Sequence, residues 1–96
     1  MKIFVSEQAD ADLLQIYQYL TERNPTAAES LIRRIDRTFE NLMHFPFIGR
    51  ERSSLARGVR SIVANTYVVF YTVERDRVTI VRVLDGRRDI DAEFQR

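Results

Sequence analysis

The sequence predicts an α+β domain, in which an N-terminal strand precedes an antiparallel helical hairpin packed on a mainly antiparallel sheet of about four strands. Two patterns support this class. Apolar residues recur at helical spacing through the first half of the chain, whereas β-branched and aromatic residues dominate the run from 59 to 85. The length of 96 residues suits one domain, 1–96, with a single core.

The first elements are a short strand and a helix. The letters KIFVS form the strand candidate, and Ser6 is suited to cap the helix because its side-chain oxygen can accept from the free amides of the first turn. Asp10 and Asp12 lie in the early turns, where the helix dipole favours negative charge. One apolar stripe then continues to about residue 23, with the members Ala9, Leu13, Ile16, Tyr17 and Leu20.

A second helix is predicted to follow the first almost directly. Asn24 is a good cap residue, and Pro25 suits the first helical position because its missing N–H has no partner there. Apolar residues recur at the helical period as far as His44, and Pro46 ends the helix. Two long helices with so short a connection are expected to lie antiparallel.

Three strand candidates follow the helices: VRSIVA (59–64), TYVVFYTV (66–73) and RVTIVRVLD (77–85). In the middle strand, one face carries Tyr67, Val69, Tyr71 and Val73, and the other carries Val68 and Phe70. Both faces are partly apolar, so one can pack on the helices. The other is expected to stay open for a partner unless something else covers it. The tail DIDAEFQR is compatible with a last helical turn.

Arginine dominates the basic residues, and its distribution is uneven. The net charge is +1, but residues 1–49 carry five basic and seven acidic side chains, whereas residues 50–96 carry ten arginines and seven acids. Four arginines fall within 45–61: Arg50, Arg52, Arg57 and Arg60. Arginine presents a planar fork of donors, so this segment predicts a surface for carboxylates or phosphates, with ordinary ion pairs as the alternative for each residue.

Several kinds of active site lack the residues they need. The chain has no cysteine, and its single histidine, His44, lies beside Pro46 at a helix end. We therefore expect neither a metal site, a thiolate or serine nucleophile, nor a cofactor. Arg82 lies in an otherwise apolar strand and needs a partner, for which Asp89 is one candidate; the alternative is a charged element on a concave sheet face.

The localisation expected from the sequence is cytoplasmic, without membrane association. Acidic residues occupy the N-terminal stretch where a signal peptide needs its apolar run. No window approaches the roughly 20 apolar residues of a membrane-spanning helix.

Five sequence blocks, in this order, resemble the ParE/RelE superfamily of toxins from bacterial type II toxin–antitoxin modules. The blocks are SEQADADLLQIYQYL, NPTAAESLIRRI, FPFIGRERSSL, GVRSIVANTYVVFYTV and VTIVRVLDGRRDI. The resemblance covers nearly the whole chain and is greatest to the ParE-type branch. It implies a toxin that poisons DNA gyrase and blocks replication, whereas RelE-like relatives cut mRNA in the ribosomal A site.

Between these two activities, the residue types favour a gyrase poison that is not an enzyme, with the RelE-like endoribonuclease as the alternative. A metal-free nuclease needs groups that move protons, and RelE-type sites resemble a Lys/Arg cluster with a Tyr or His near the C-terminus. No Tyr or His follows Tyr71 here, and Asp85 stands where many relatives have His. A plain nucleic-acid-binding module, the third alternative, is disfavoured by the small net charge.

The resemblance also implies partners and contact residues. The partners are DNA gyrase with its DNA and a cognate antitoxin, ParD-like or related, which forms a hetero-oligomer with the toxin. Contacts with the target are expected from Arg50, Arg52, Arg57, Arg60, Arg82, Arg87 and Arg88. Contacts with the antitoxin are expected from Leu13, Tyr17, Tyr67, Val69 and Tyr71.

Overall fold

A computed structural model describes residues 1–95 and confirms the α+β class. The elements, in chain order, are β1 (Lys2–Val5), α1 (Glu7–Arg23), α2 (Pro25–His44), β2 (Arg50–Glu51), β3 (Arg60–Ala64), β4 (Tyr67–Glu74), β5 (Arg77–Asp85) and α3 (Ile90–Phe94). The short C-terminal helix, α3, agrees with the turn that the tail predicts. None of the helices within residues 1–95 has the length and hydrophobicity that crossing a membrane requires.

The sheet has five strands in the order β1-β5-β4-β3-β2, one more than the sequence predicts. β1 pairs with β5 in parallel, and the other neighbours are antiparallel. The additional strand, β2, contributes only two residues, which pair Arg50 with Ser61 and Glu51 with Arg60. A strand this short has no alternation of apolar and polar residues, so sequence periodicity cannot predict it.

The helical hairpin begins and turns where its cap residues predict. Ser6 Oγ accepts from the backbone N–H of Ala9 at 3.1 Å, and Asn24 Oδ1 accepts from that of Ala27 at 3.1 Å. Asn24 ends α1 and begins α2, with Pro25 at the start of the second helix. One residue therefore serves both helix ends, which confirms the short connection.

The hairpin covers one face of the sheet and buries the main core there. Its fully or nearly buried members are Ala9, Leu31, Ile35, Leu42, Ala64, Tyr67, Val69, Tyr71, Val78, Ile80 and Val83. Val69 and Tyr71 are 0% exposed, so they are core residues and not the surface contacts for an antitoxin that the sequence suggested. The prediction was wrong for these two because alternation identifies an apolar face but not what covers it.

The opposite face of the sheet is covered by the chain itself. A second buried cluster there contains Leu55, Val59, Phe70 and Leu84, with Phe94 of α3 packed against it. The rings of Phe70 and Phe94 lie 5.2 Å apart, centre to centre, in an edge-to-face arrangement. The segment between β2 and β3, together with α3, thus covers much of the face that was expected to stay open for a partner.

α1 also completes the edge of β5 beyond the end of β1. Ser6 donates from its backbone N–H to the carbonyl of Ile80 at 2.9 Å and from its hydroxyl to that of Val81 at 3.2 Å. Farther along α1, Asp12 Oδ2 accepts from the backbone N–H of Val83 at 3.0 Å. The cap residue Ser6 and the Asp12 side chain of α1 therefore replace the missing strand and satisfy backbone groups of β5.

Candidate functional site

The turn after α2 exposes a cluster of large apolar side chains. Phe45, Phe47 and Ile48 are 63%, 64% and 52% exposed, and we call residues 45–48 the apolar tip. Large apolar side chains that stay together on the surface commonly mark a contact site for another macromolecule. The sequence carries this signal in FPFI, four apolar residues directly after a helix end, whereas the charge pattern points only to the arginines that follow.

Tyr71, a residue of β4, anchors the apolar tip through its hydroxyl group. Its hydroxyl accepts from the backbone N–H of Gly49 at 2.9 Å and donates to the carbonyl of Pro46 at 2.8 Å. Burial raises the pKa of Tyr71, so the phenol stays protonated and keeps its donor. Any Cβ added at Gly49 would collide with the Tyr71 hydroxyl, which makes glycine necessary at this close approach. The tip is therefore a fixed turn with two anchoring hydrogen bonds.

Arg60 clamps the same turn from the side. Its Nη1 donates to the carbonyl of Gly49 at 2.8 Å, and its guanidinium carbon lies 5.1 Å from the ring centre of Phe47. Its Nη2 also lies 3.4 Å from Glu51 Oε1. Arg60, which was expected to contact the target, is largely engaged in holding the tip in place.

The other arginines of segment 45–61 remain nearer to solvent. Arg50 and Arg57 are exposed, and neither forms an ion pair within residues 1–95. Arg52 is half-buried, with Nη1 donating to Ser61 Oγ at 3.3 Å. Arg50 and Arg57 are therefore the two of these four that keep their donors for another molecule.

Arg82 is buried and serves the fold, in contrast to its expected role in target contact. Its Nε and Nη2 donate to the carboxylate of Asp12 at 2.8 and 3.1 Å, and its Nη1 donates to the carbonyl of Glu93 at 2.8 Å. The hydrogen bonds that Arg82 donates to Asp12 raise the pKa of Arg82, with burial acting in the opposite direction. Asp89, the partner suggested by the sequence, instead caps α3 by accepting from the N–H of Ala92.

A groove of about 520 Å³ lies between α1, the end of β5 and the residues that precede α3. Arg87 and Asp85 at its rim approach within 2.8 Å, and this contact lowers the pKa of Asp85. Tyr19 and Tyr67 also line the groove, and burial raises the pKa of Tyr67, with the charge of Asp85 adding to that effect.

The predicted site residues are thus divided between two places. Arg87 and Arg88 line the groove, and none of the four arginines of segment 45–61 does so. Of the residues expected to contact an antitoxin, Tyr67 lines the groove, Tyr17 is 40% exposed on α1, and Leu13 is half-buried against the main core. Tyr19, at 54% exposure in the groove, was missed because it lies off the apolar stripe of α1.

Metal-dependent chemistry has no obvious location in the part of the chain that the structure describes. Among residues 1–95, no three His, Asp or Glu side chains are arranged to hold a metal ion. The arrangement instead offers a fixed apolar tip with neighbouring arginines and a separate polar groove, both of which suit binding of a macromolecule.

Comparison with known proteins agrees with this architecture. Residues 3–90 match the family described as the ParE toxin of the type II toxin–antitoxin system parDE. The toxin ParE3 of Caulobacter vibrioides is 30% identical over 94 residues, which are 97% of this chain and 94% of that protein.

A solved structure of the chromosomal ParDE toxin–antitoxin system from P. aeruginosa shares the fold. The superposition has a TM-score of 0.74 at 23% identity and covers 88% of this chain and 95% of that one. Because the family match spans most of the sequence and the similarity to ParE3 extends nearly end to end, this chain belongs to the ParE toxin family of type II toxin–antitoxin systems.

Proposed function

We propose that this chain poisons DNA gyrase by binding it, blocks replication in this way, and is neutralised by direct binding of a cognate antitoxin in the cytoplasm. Family membership supports the toxin role, and the observation that carries the binding mechanism is the apolar tip. Phe45, Phe47 and Ile48 are exposed, yet the turn that bears them is anchored by Tyr71 and Arg60.

A fixed, exposed aromatic surface is well suited to tight protein binding. Interface residues that contribute most to affinity are enriched in aromatic side chains and arginine, and a surface that is already rigid loses little entropy on binding. Arg50 follows the tip after Gly49 and is exposed without an ion pair in residues 1–95, so it can add a charged contact near the tip. The tip is therefore our candidate for the gyrase contact, with Arg50 close to it in the chain and Arg57 exposed farther along the same segment.

Ribosome-dependent mRNA cleavage is less well supported by the positions of the tyrosines. Tyr71 lies under the hairpin, with its hydroxyl bonded to Gly49 and Pro46, and Tyr67 lies in the groove on the same side of the sheet. The raised pKa of each phenol disfavours the ionised form that would abstract a proton. Arg82, a candidate for phosphate stabilisation, is engaged with Asp12.

The groove is our candidate for the antitoxin contact. Tyr67 forms part of its wall, while Tyr19, Arg87 and Arg88 provide exposed aromatic and cationic groups around it. An extended acidic segment would meet these cations at the rim, and a segment that is disordered when free can fold into such a groove on binding.

Two assays with purified protein test the mode of action. We expect loss of gyrase supercoiling with accumulation of cleaved DNA, and no cutting of mRNA on programmed ribosomes. Cleavage of mRNA by the protein at amounts far below those of the ribosomes would replace this proposal with the nuclease.

A pair of variants tests the tip. We expect the double substitution Phe45→Ser and Ile48→Ser to weaken gyrase inhibition at least about 30-fold, since losing an interface anchor costs about 2 kcal/mol or more. Val63→Ser is the matched control, because Val63 is 62% exposed elsewhere on β3. Equal inhibition by both variants would show that the tip is not the gyrase contact.

The antitoxin contact is tested separately by co-purification with the tagged antitoxin. Tyr19→Ala with Arg88→Gln should weaken the complex at least about fivefold, the effect of roughly 1 kcal/mol. Phe45→Ser with Ile48→Ser should leave the complex intact. The reverse pattern would assign the tip to the antitoxin.

A further inference from the structure

The middle of α2 carries three arginines that surround a shallow cavity of about 330 Å³. Arg33, Arg34 and Arg37 line it, together with Ser30 of the same helix and Asn65 from the turn between β3 and β4. We call these five residues the α2 arginine patch. It lies outside the groove and the apolar tip, and neither of those sites explains it.

The three guanidinium groups have no anionic partner in the described structure. Within residues 1–95, none of them forms an ion pair or donates a side-chain hydrogen bond, and all three residues are exposed. Glu29, Asp36 and Glu40 also lie on α2, but within residues 1–95 none of them lines the cavity or makes an ion pair with these arginines. Like charges one turn apart on a helix repel each other, so an anion placed among these arginines would remove an unfavourable interaction.

The spacing and the neutral groups match a phosphodiester backbone. Arg33 and Arg37 are separated by about 6 Å along the helix axis, close to two charge repeats of about 3.4 Å on one DNA strand. Ser30 and Asn65 add hydroxyl and amide groups, which together with arginine are common phosphate contacts in protein–DNA complexes.

We propose that the α2 arginine patch binds the phosphate backbone of duplex DNA without reading its sequence. The cavity lining contains no aromatic side chain on which an unpaired base could stack, which distinguishes it from sites for single strands. The lining also lacks an apolar anchor of the kind that the centre of a protein interface supplies.

The patch and the apolar tip can act together. Arg37 precedes the end of α2 at His44 by seven residues, or about 10 Å along the helix axis. DNA held at the patch would therefore run close to the tip, within reach of a protein that is bound to the same DNA. The DNA contact is nevertheless a property of this chain alone and does not depend on gyrase.

Fluorescence anisotropy with a labelled duplex of about 20 base pairs tests the inference in the absence of any other protein. We expect sequence-independent binding with a dissociation constant of about 10⁻⁴ to 10⁻⁶ M at physiological salt. Three neutralised phosphates give a slope of about −2.7 for the logarithm of affinity against that of salt, or about 40-fold weaker binding between about 50 and 200 mM. A single strand of the same length should bind more weakly.

Variants test whether duplex binding depends on the α2 arginine patch or on positive charge anywhere on the surface. The triple change Arg33→Gln, Arg34→Gln and Arg37→Gln should lower the affinity at about 50 mM salt at least tenfold and bring the slope close to zero. The corresponding lysine variant keeps the charges and should keep most of the slope. The matched control removes three exposed charges at another place, by Lys2→Gln, Arg75→Gln and Arg77→Gln, and should bind like the wild type.

Several results would overturn the inference. The inference fails if the wild type does not bind the duplex at about 50 mM salt, or if it binds the single strand more tightly than the duplex. It also fails if the control variant loses as much duplex affinity as the glutamine variant, or if the glutamine variant keeps the salt slope of the wild type. Preferential binding of an acidic peptide, abolished by the glutamine variant, would assign the patch to a protein partner instead. A negative DNA result together with intact gyrase inhibition would remove this inference and leave the proposed function standing.

Discussion

Replacing Arg82 with methionine separates a structural role from a role in target contact. The side chains of Arg82 and Asp12 are only 10% and 8% exposed, and the replacement removes both hydrogen bonds between them and the one to the Glu93 carbonyl. The Asp12 carboxylate is then left with the backbone N–H of Val83 at 3.0 Å and a longer hydrogen bond from Gln8 Nε2 at 3.4 Å. The negative charge of Asp12 stays buried without a counter-ion, and such an uncompensated charge is the reason why breaking a buried ion pair is strongly destabilising.

The expected loss is a large part of the stability of the domain. Removing one partner of a buried pair costs about 3–5 kcal/mol, against about 5–15 kcal/mol for a typical domain. With a urea m-value of about 1.5 kcal/mol/M, the unfolding midpoint should fall by about 2–3 M. Asp12→Asn leaves the Arg82 cation without its counter-ion in turn, but it keeps an acceptor for the Val83 N–H and leaves the bond from Arg82 to the Glu93 carbonyl in place. It should therefore cost less than Arg82→Met.

Urea unfolding followed by far-UV circular dichroism gives these values directly. The double variant Asp12→Asn, Arg82→Met should lose less than the sum of the single variants, by about 1–3 kcal/mol, because the second change removes the unpaired charge. Arg75→Met, at an exposed position, should stay within about 0.5 kcal/mol of the wild type. If Arg82→Met kept full stability and lost only gyrase inhibition, Arg82 would be a target contact and the structural interpretation would be refuted.

Two further predictions concern the apolar tip and the rim of the groove. Tyr71→Phe leaves the Gly49 N–H and the Pro46 carbonyl without their partner. We therefore expect the free energy of unfolding in urea to fall by about 1–3 kcal/mol and the Gly49 amide to exchange faster. Unchanged amide exchange at Gly49 would contradict the anchoring role of Tyr71. Because the pKa of Asp85 is lowered in the folded state, its contribution to stability is present above its ordinary value of 3.8 and is lost as the pH falls through the lowered value. Arg87→Gln should therefore reduce stability at neutral pH and match the wild type in strong acid, and a difference independent of pH would exclude the ion pair as the cause.

Local patterns were sufficient for most of the fold. Helical and alternating periodicity, together with Ser6, Asn24 and Pro25, predicted the hairpin and the three main strands, because a cap or a stripe depends on residues within one or two turns. β2 was not predicted because two residues show no periodicity, and its position is set by pairing with β3.

The site could be predicted only in part. Arg50 and Arg57 are exposed as the charge cluster suggested, whereas Arg60 is engaged with the apolar tip and Arg82 with Asp12. Composition identifies an arginine-rich segment, but the role of each arginine depends on which acceptor approaches it in space. The apolar tip was overlooked because the exposure of an apolar residue is a property of the folded surface.

The sequence by itself determined the order of elements, the hairpin geometry and the membership of a toxin family, because these depend on contacts between near neighbours and on ordered motifs. The tertiary structure decided which arginines are available and what covers each face of the sheet. Arg82 meets Asp12 across 70 residues of chain, and Phe94 returns to cover Phe70. Such long-range contacts form only when the elements pack, so packing decided which groups remain available to other molecules.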